Sequence, residues 1–483
     1  MSRFHLLQQD RSRRSFLKGV LAAAAASYTL PALAVPTKMA AVQPGNELLH
    51  GAMEAARWVR ASEMRTAQGK YWLPDPTHPS RELPPAQSRS IRRGSAGILL
   101  FLLEMYSATG DPAYLDDAVS GARYLAATWQ QMLHDSSVAP GTRLSFYDGL
   151  AGAGFALTQT WSYSKEEPLR QAADAITSYL SEAAVRDSDG VSWSETSSIA
   201  GDSSVILYLL NAAQALQDPG YRKVAAQGAD RLVALQTDGS ADHSWSELPS
   251  RPVHSTERAY IPNFEYGTAG IAYTLARVYE DTEQADYLQA AREGAFRIER
   301  VACRQKDGVL IPYCVPDTMS NFQIGFSQGA AGTARLFYQL HKVTSDNAYF
   351  LMSEKLADGI LGALKRPLTA LALEENALCQ HSGKAGVMEF LLGMGKVTGD
   401  TRYTQAVNRI GRETIEEMDF HGHRSRWFDN YSHVPAPQDT WETGYSFGAA
   451  GIGSALLHSA MVEHTAWQPI VWPDNPFPHI SAL

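Results

Sequence analysis

Long apolar runs recur along the chain, and each one follows a short G-x-x-G unit. The run ILLFLLEMYSA after Gly94 is hydrophobic nearly all round, which is typical of a buried helix. A breaker, TGDPAYL, comes next, and its Asp111 and Pro112 suit a helix N-cap and first turn. An amphipathic helix such as YLDDAVSGARYLAATW follows, and a long loop leads to the next unit. The pattern therefore predicts alternating buried and amphipathic helices.

This unit occurs seven times between about residues 90 and 465, and the copy at Gly201 keeps only the first glycine and the apolar tail. The first glycines are Gly94, Gly149, Gly201, Gly267, Gly329, Gly383 and Gly448, at steps of 55, 52, 66, 62, 54 and 65 residues. Such a frame predicts an all-α fold. We expect an α/α toroid with an inner ring of about seven apolar helices and an outer ring of about seven amphipathic ones.

A toroid predicts where ligands bind, because its long loops and the N-termini of its inner helices converge on one mouth. Helix N-termini present unpaired N–H groups and partial positive charge, which suit an anion or a polarised oxygen. The small residues of G-x-x-G would let each inner helix approach its neighbours closely. No second domain is required, so residues 35–483 are predicted to form a single domain.

The first 34 residues have a different composition from the rest. Arg13 and Arg14 precede an apolar stretch that ends in small residues, and the sequence SRRSFLK resembles a twin-arginine export signal, cut after Ala34. The alternative is a membrane-anchoring helix, but the apolar run is shorter than the ~20 residues that a span needs, and Pro31 interrupts it. We therefore expect export by the twin-arginine machinery, to the periplasm or out of the cell.

Composition narrows the choice of partners. The chain has 483 residues, of which 45% are hydrophobic and 19% are charged, with a net charge of −9 and a pI near 5.9. A mildly acidic chain without a basic cluster beyond its first 20 residues is a poor partner for nucleic acid or an anionic membrane surface. No segment of the mature chain is long and apolar enough to predict a membrane span.

The three cysteines are open to two interpretations. Cys303 and Cys314 flank RQKDGVLIPY, whose KDG is a turn signal, so a disulfide across this loop is one interpretation and two thiols are the other. An oxidising compartment would favour the disulfide. Cys379 would then be the odd cysteine, either buried or a ligand.

The repeat frame, the segment LFLLEMYSATGDPAYL and the DG…W loops ahead of several units resemble the lanthionine synthetase C-like family. The resemblance covers nearly all of the mature chain. It implies an α/α toroid with a central zinc that activates a peptide cysteine thiol for addition to a dehydrated serine or threonine. It also implies a peptide substrate at the mouth.

The resemblance places three zinc ligands just before the fifth and sixth units, where this chain has Ser327, His381 and Ser382. The catalytic histidine of the family falls on Tyr266. Neutral serine hydroxyls are poor zinc ligands, so we expect the fold without zinc-dependent cyclisation. A zinc site rebuilt around Cys379 and His381 is the alternative, and no other cofactor is implied.

Without the family, Cys379 and His381 form a loose C-x-H pair, which is more often packing than a metal site. A second cluster, His421 and His423 with His433, lies on a predicted mouth loop and is a weaker metal candidate. The C-x-H pair has no second ligand pair at a recognisable spacing.

Carboxylates and aromatic residues on the mouth loops suggest other chemistry. Asp148 and Glu265 are candidate acid–base residues of a glycosidase or polysaccharide lyase, and Tyr266 is a candidate base if Arg92 or Arg93 lowers the pKa of its phenol. The candidate residues for binding a peptide or glycan at the mouth are Trp193, Glu195, Asp202, Trp245, Glu247, Trp441 and Glu442.

Three functions therefore compete. The first is an exported lanthionine synthetase C-like protein that binds or modifies a peptide, with an altered or absent zinc site. The second is a carbohydrate-active enzyme on the same toroid, and the third is a binding protein without catalysis. The proline-rich C-terminal segment has no helical period and is predicted to be an extended strap on the toroid surface.

Overall fold

Helices make up most of the chain that the structure describes. The computed structural model describes residues 46–236, 260–316, 322–365, 377–421, 424–427, 441–464, 467 and 469–478. All of these residues belong to one compact unit that spans residues 41–483. The predicted export signal, residues 1–34, lies outside the described residues.

The helices follow one another at the spacing that the repeats predict. In chain order they are α1 (Glu47–Ala61), α2 (Pro85–Arg89), α3 (Ser95–Thr109), α4 (Pro112–Thr128), α5 (Leu150–Ser164), α6 (Glu167–Ala183), α7 (Asp202–Ala215), α8 (Pro219–Ala234), α9 (Thr268–Thr282), α10 (Ala285–Val301), α11 (Ala330–Thr344), α12 (Asn347–Ala363), α13 (Lys384–Thr398), α14 (Thr401–Glu416) and α15 (Ala449–Ala460).

The odd-numbered helices from α3 to α15 form a closed inner ring. Each packs against the next one, and α15 packs back against α3. The helices α4, α6, α8, α10, α12 and α14 each pack on the inner helix before them, and α1 supplies the outer partner of α15. The structure therefore confirms the predicted α/α toroid, with seven inner and seven outer helices in its described part.

Local chemistry explains where the outer helices begin. Asp111, Asp218, Asp346 and Asp400 precede α4, α8, α12 and α14, and each side chain accepts a hydrogen bond from a backbone N–H in the first turn. These bonds satisfy N–H groups that have no partner within the helix. The caps predicted at Asp111, Asp346 and Asp400 are thus present.

Four short β-hairpins were not predicted from the sequence. They are β1–β2 (Glu63–Thr66 with Gly69–Trp72), β3–β4 (Val185–Asp187 with Gly190–Ser192), β5–β6 (Cys303–Arg304 with Val309–Leu310) and β7–β8 (Asp419–His421 with Arg424–Arg426). Each follows an outer helix directly and is antiparallel. They occupy the start of loops that the sequence pattern left without regular structure.

The second glycine of each G-x-x-G unit has a role that differs from the predicted one. A Cβ atom on Gly97, Gly270 or Gly332 would clash with the carbonyl oxygen of the residue six positions earlier. The inner helix thus begins against its own preceding loop, in addition to packing on neighbouring helices. The motif fixes the path by which each mouth loop enters its helix.

The C-terminal segment lies inside the toroid, so the prediction of a surface strap was wrong. We call residues 467 and 469–478 the C-terminal plug. Trp467 and Trp472 are buried, and Phe477 stacks on Tyr338 of α11 at a ring distance of 4.4 Å. The plug also contacts side chains of α3, α5, α9, α13 and α15, which places it in the central channel. The prolines suggested an exposed strap, but burial of the apolar side chains favours a position inside the toroid.

The disulfide between Cys303 and Cys314 stays one of two interpretations. Both side chains are partly exposed. Cys303 Sγ lies 3.6 Å from the carbonyl oxygen of Val301, and Cys314 Sγ lies 3.8 Å from that of Pro316. No helix in the described part of the chain is long and apolar enough to cross a membrane.

Candidate functional site

The mouth of the toroid is built from two layers of side chains just before the inner helices. The residues two positions before the first glycine of each unit form a layer that we call the inner tier. They are Arg92, Tyr147, Ile199, Glu265, Ser327, His381 and Ser446. None is more than 8% exposed, so the inner tier closes the central channel from the mouth side.

Six backbone hydrogen bonds join the inner tier into an open chain. Each donating N–H lies 2.8–3.0 Å from the carbonyl oxygen of the adjacent unit. The donor and acceptor pairs are Arg92 to Tyr147, Ser446 to Arg92, His381 to Ser446, Ser327 to His381, Glu265 to Ser327, and Ala200 to Glu265. In the third unit, which lacks the second glycine, the donor is Ala200, one residue after the inner-tier residue Ile199. This chain of bonds, which runs from Ala200 to Tyr147, gives the inner tier a rigid frame, because buried backbone groups must keep their partners.

The residues one position before each first glycine form the second layer, which we call the mouth tier. They are Arg93, Asp148, Ala200, Tyr266, Gln328, Ser382 and Phe447. The first five are partly exposed, whereas Ser382 and Phe447 are buried. The mouth tier therefore offers a ligand both charged and neutral hydrogen-bonding groups.

Arg92 is the centre of the inner tier. Its Nε donates to both carboxylate oxygens of Asp148, at 2.8 and 2.9 Å, and its Nη2 donates to Glu265 Oε1 at 2.5 Å. Its Nη1 lies 3.0 Å from His381 Nδ1. The guanidinium also lies 5.6 Å from the ring centre of Tyr147, within the range of a cation–π contact. Four units of the repeat thus meet at one cation.

The charges in this cluster follow from burial and from the arginine. Burial alone would raise the pKa of Glu265, but the adjacent Arg92 charge holds that pKa below its ordinary value. Burial lowers the pKa of His381 to about 4, and the Arg92 charge acts in the same direction. At neutral pH, Glu265 is therefore a carboxylate and His381 is uncharged.

The contact with Arg92 also selects the tautomer of His381. A guanidinium can only donate hydrogen bonds, so the 3.0 Å contact requires Nδ1 to accept. The proton of the neutral ring then resides on Nε2. Glu265 Oε2 lies 3.2 Å from the same Nδ1, and a side-chain hydrogen bond from Ser327 helps to lower the pKa of Glu265.

Zinc does not fit the residues at the family's ligand positions. Ser327 and Ser382 supply hydroxyls, and the His381 Nδ1 atom is taken by Arg92. Cys379 is buried against Ala377 and Phe447, with its sulfur 3.8 Å from Ser382 Oγ. Among the described residues, no group of three or more His, Cys, Asp or Glu side chains is placed to hold a metal ion. Two of the three positions thus supply hydroxyls, which are poor zinc ligands, and the third, His381, already contacts the Arg92 guanidinium.

The three candidate catalytic residues do converge at the mouth. Asp148 and Glu265 accept from different nitrogens of the Arg92 guanidinium, Nε and Nη2, and Tyr266 interacts electrostatically with Arg92. Glu265 is fully buried and its pKa is lowered, which is the opposite of what a general acid requires. Asp148 and Tyr266 remain accessible, since the side chains of both are partly exposed.

Two of the candidate binding residues stabilise a loop instead. Trp193 is buried, and its indole N–H donates to the carbonyl oxygen of Leu180 at 2.7 Å. The Asp202 carboxylate accepts from the backbone N–H groups of Trp193 and Ser194, and burial raises its pKa to about 6. Glu195 is exposed beside them.

The remaining candidate binding and metal-ligating residues lie in different environments. Glu442 is buried and pairs with Arg93 at 2.6 Å, so it holds a mouth-tier residue in place. Trp441 is partly exposed, with the Arg426 guanidinium 3.7 Å from its ring centre. Trp245, Glu247, His423 and His433 lie outside the described residues, as does the side chain of His421.

Sequence reasoning missed the central role of Arg92 and the position of Tyr147 beneath it. The Tyr147 hydroxyl donates to Asp474 of the C-terminal plug at 2.7 Å. A cavity of about 70 Å³ lies between the inner tier and the plug, lined on one side by Tyr147 and His381 and on the other by Trp472. An alignment of all seven units at the second position before the glycine would have found both residues.

Comparison with known proteins agrees with this architecture. The profile of the family described as "Lanthionine synthetase C-like protein" matches residues 85–470. The structure is similar to that of nisin cyclase, with a TM-score of 0.58, 16% identity, and coverage of 78% of this chain and 89% of that one. It also resembles the α-1,6-mannanase from Salegentibacter sp. HEL1_6, with a TM-score of 0.43, 12% identity, and coverage of 86% and 98%. No match is found among curated protein sequences.

Proposed function

The chain belongs to the lanthionine synthetase C-like family, and on that premise we propose that it is an exported member that binds a peptide at the toroid mouth without zinc-dependent cyclisation. The fold and the repeat frame are those of the family, whereas the chemistry at the centre of the mouth differs. We therefore expect a peptide ligand, as in the family, but no thiol activated by a metal.

One observation carries the proposal. The Arg92 guanidinium is bonded to Asp148, Glu265 and His381, and His381 is one of the three positions where the family resemblance places a zinc ligand. A thiol can be activated by a metal because the ion stabilises the thiolate. Here the cation already has two carboxylate partners and is buried, so it is poorly available to a substrate thiol.

The mouth tier supports a peptide as the ligand. A peptide backbone needs both donors and acceptors along its length. Arg93 and Gln328 supply N–H donors, Asp148 supplies acceptor oxygens, and the Tyr266 hydroxyl can do either. Nisin cyclase has a similar fold, and at 16% identity this likeness supports the fold alone.

The geometry gives less support to a carbohydrate-active enzyme. Cleavage of a glycosidic bond needs one carboxylic acid with a raised pKa and a second carboxylate. Glu265 is buried with a lowered pKa, and the Asp148 carboxylate is bonded through both oxygens to Arg92. A glycan ligand is therefore an outcome for the binding experiment to detect, and not part of the proposal.

A displayed peptide library tests the proposal. The mature chain is immobilised, exposed to a random linear peptide library with and without chelator, and the enriched peptides are measured by titration. We expect enrichment that does not depend on chelator, and a loss of affinity of about tenfold for Asp148→Asn and Tyr266→Phe, as for one lost hydrogen bond to a charged or aligned group. Glu195→Gln, at an exposed loop position outside the mouth tier, is the matched control.

The opposite results are equally clear. If no peptide is enriched and a panel of oligosaccharides binds in its place, the ligand class is wrong. If enrichment disappears with chelator, the zinc-free character of the site is wrong. If Glu195→Gln weakens binding as much as Tyr266→Phe, the mouth tier is not the binding surface.

Export is a separate part of the proposal and rests on Arg13 and Arg14 alone. A twin-arginine signal requires its arginine pair, so Arg13→Lys with Arg14→Lys should abolish export of the chain. Cell fractionation followed by immunodetection measures this directly. Normal processing of the doubly substituted chain would show that another route is used.

A further inference from the structure

The open chain of backbone hydrogen bonds in the inner tier ends at Tyr147. The Tyr147 carbonyl oxygen accepts from the Arg92 N–H at 2.9 Å, but among the described residues no such backbone bond joins the second unit to the third. The backbone N–H of Phe146 donates instead to the side chain of Ser204 in α7, at 3.0 Å. The segment before Gly149 therefore has less backbone support than the segments in the middle of the chain of bonds.

A side-chain bond to the C-terminal plug adds support at this end. The Tyr147 hydroxyl donates to Asp474 Oδ2 at 2.7 Å, and the two residues are 7% and 3% exposed. Burial raises the pKa of Tyr147, and the Asp474 charge acts in the same direction, so the phenol keeps its proton at neutral pH and can donate. A hydrogen bond to a carboxylate is stronger than one between neutral groups.

Asp474 is itself held by an inner helix. Arg335 of α11 donates from Nη1 to the Asp474 carbonyl oxygen at 3.0 Å, and the same nitrogen lies 3.2 Å from Asp474 Oδ1. The Arg335 guanidinium also lies 4.5 Å from the ring centre of Phe326. The buried carboxylate thus has a counter-charge, as a buried anion requires. One of its oxygens faces Arg335 and the other accepts from Tyr147.

The residue after Tyr147 is Asp148, the acceptor that the proposed function assigns to a bound peptide. The Asp148 side chain is 24% exposed at the mouth, whereas the Tyr147 hydroxyl contacts the plug on the other side of the inner tier. Successive residues share a planar peptide unit, so an anchored Tyr147 also restrains the backbone from which Asp148 extends. Release of the hydroxyl would let the Asp148 oxygens move relative to a ligand.

We propose that Asp474 of the C-terminal plug is a positioning residue of the peptide site, which holds Asp148 at the mouth through the Tyr147 side chain. The inference rests on the proposed function, because Asp148 is a peptide contact only there. It adds that a segment below the inner tier helps to set the affinity of the mouth above it.

Two tyrosines provide a matched pair of variants. Tyr147→Phe removes the hydroxyl that bonds Asp474 and keeps the ring. Tyr273 is also buried, and its hydroxyl donates to the carbonyl oxygen of Pro473 at 3.2 Å, so Tyr273→Phe makes the same change one plug residue away. Asp474→Asn keeps an oxygen that can accept from Tyr147, whereas Asp474→Ala removes it and serves as a second variant if Tyr147→Phe does not fold.

The first measurement needs no ligand. Hydrogen exchange by mass spectrometry follows the fragment that contains the Arg92 amide, which donates to the Tyr147 carbonyl oxygen. We expect this amide to exchange about tenfold faster in Tyr147→Phe and Asp474→Ala than in the natural chain. Tyr273→Phe and Asp474→Asn should exchange at the natural rate.

The second measurement is the affinity for an enriched peptide. Tyr147→Phe should weaken binding by about threefold to tenfold, and tenfold is the upper value because it corresponds to complete loss of the Asp148 contact. Asp474→Asn should bind as the natural chain does. In an Asp148→Asn background, Tyr147→Phe should change the affinity by less than about twofold, because the contact that it displaces is already lost.

Three results would count against the inference or its premise. Equal exchange of the Arg92 amide in Tyr147→Phe and Tyr273→Phe would overturn the anchor, whether or not a peptide binds. Faster exchange with unchanged affinity, or an equal loss of affinity in the Asp148→Asn background, would show that Asp474 does not act through Asp148. If no peptide is enriched, the proposed function fails and takes the binding role of Asp474 with it, while the exchange comparison still decides whether the plug holds Tyr147.

Discussion

The replacement of Trp472 by alanine tests whether the C-terminal plug fills the central channel in solution. Trp472 is 8% exposed and lies among Phe146, Phe155 and Tyr445, at ring distances of 6.1, 5.9 and 4.8 Å. These rings come from two different units of the repeat. The indole therefore bridges the inner ring at a level below the inner tier.

The expected loss of stability follows from the buried area. A buried tryptophan removes about 200 Å² from water, which at about 25 cal/mol per Å² corresponds to about 5 kcal/mol as an upper value. Core Trp→Ala substitutions cost about 3–5 kcal/mol, so we expect a decrease of that size in the free energy of unfolding. Val471 is 51% exposed, and Val471→Ala should change the free energy by less than about 0.5 kcal/mol.

Equilibrium unfolding in guanidinium chloride, followed by far-UV circular dichroism, measures both variants without relying on tryptophan fluorescence. A plug within the channel predicts a large effect for Trp472→Ala beside a negligible effect for its neighbour. If the two variants lie within about 1 kcal/mol of each other, the indole is not buried and the reasoning is refuted.

Two further predictions concern His381 and the repeat glycines. The folded-state pKa of His381 is about 4, below the ordinary 6.5, so the unfolded chain takes up a proton first as the pH falls. The natural chain should therefore lose about 3 kcal/mol more stability than His381→Gln between pH 7 and pH 4, and equal losses in two matched denaturation series would contradict the assigned pKa. Gly270→Ala should lower the free energy of unfolding by more than about 1 kcal/mol, because the added Cβ would meet the Phe264 carbonyl oxygen. Gly395→Ala should change the free energy of unfolding by less, because the nearest atom there is a side-chain methyl 3.1 Å away. Similar melting temperatures for the two variants would show that the loop contact at Gly270 does not contribute to stability.

The ring architecture could be predicted from the sequence because it depends on a repeated pattern. Apolar helices such as α3 and capped starts such as Asp111 are local signals, and seven copies reinforce one another. The hairpins could not be predicted in the same way, since strands of two to four residues give too little alternation. Gly190, with φ of +136°, is the main local sign of the β3–β4 turn.

The candidate site was only partly predictable. The repeat register brought Asp148, Glu265 and His381 to the mouth, and the structure places all three around one side chain. The repeat register did not identify Arg92 as that side chain. Arginine is a common surface residue type, and the burial of Arg92 depends on partners far away in sequence. The C-terminal plug was missed for the same reason, since the burial of Trp472 is set by tertiary packing.

The most direct test of the account is the metal content of the natural mature chain, purified without chelator and measured by elemental analysis. With Arg92 bonded to Asp148, Glu265 and His381, the account predicts no stoichiometric zinc. About one zinc per chain, lost in His381→Ala, would contradict it, because a metal would then hold the position that we assign to the guanidinium.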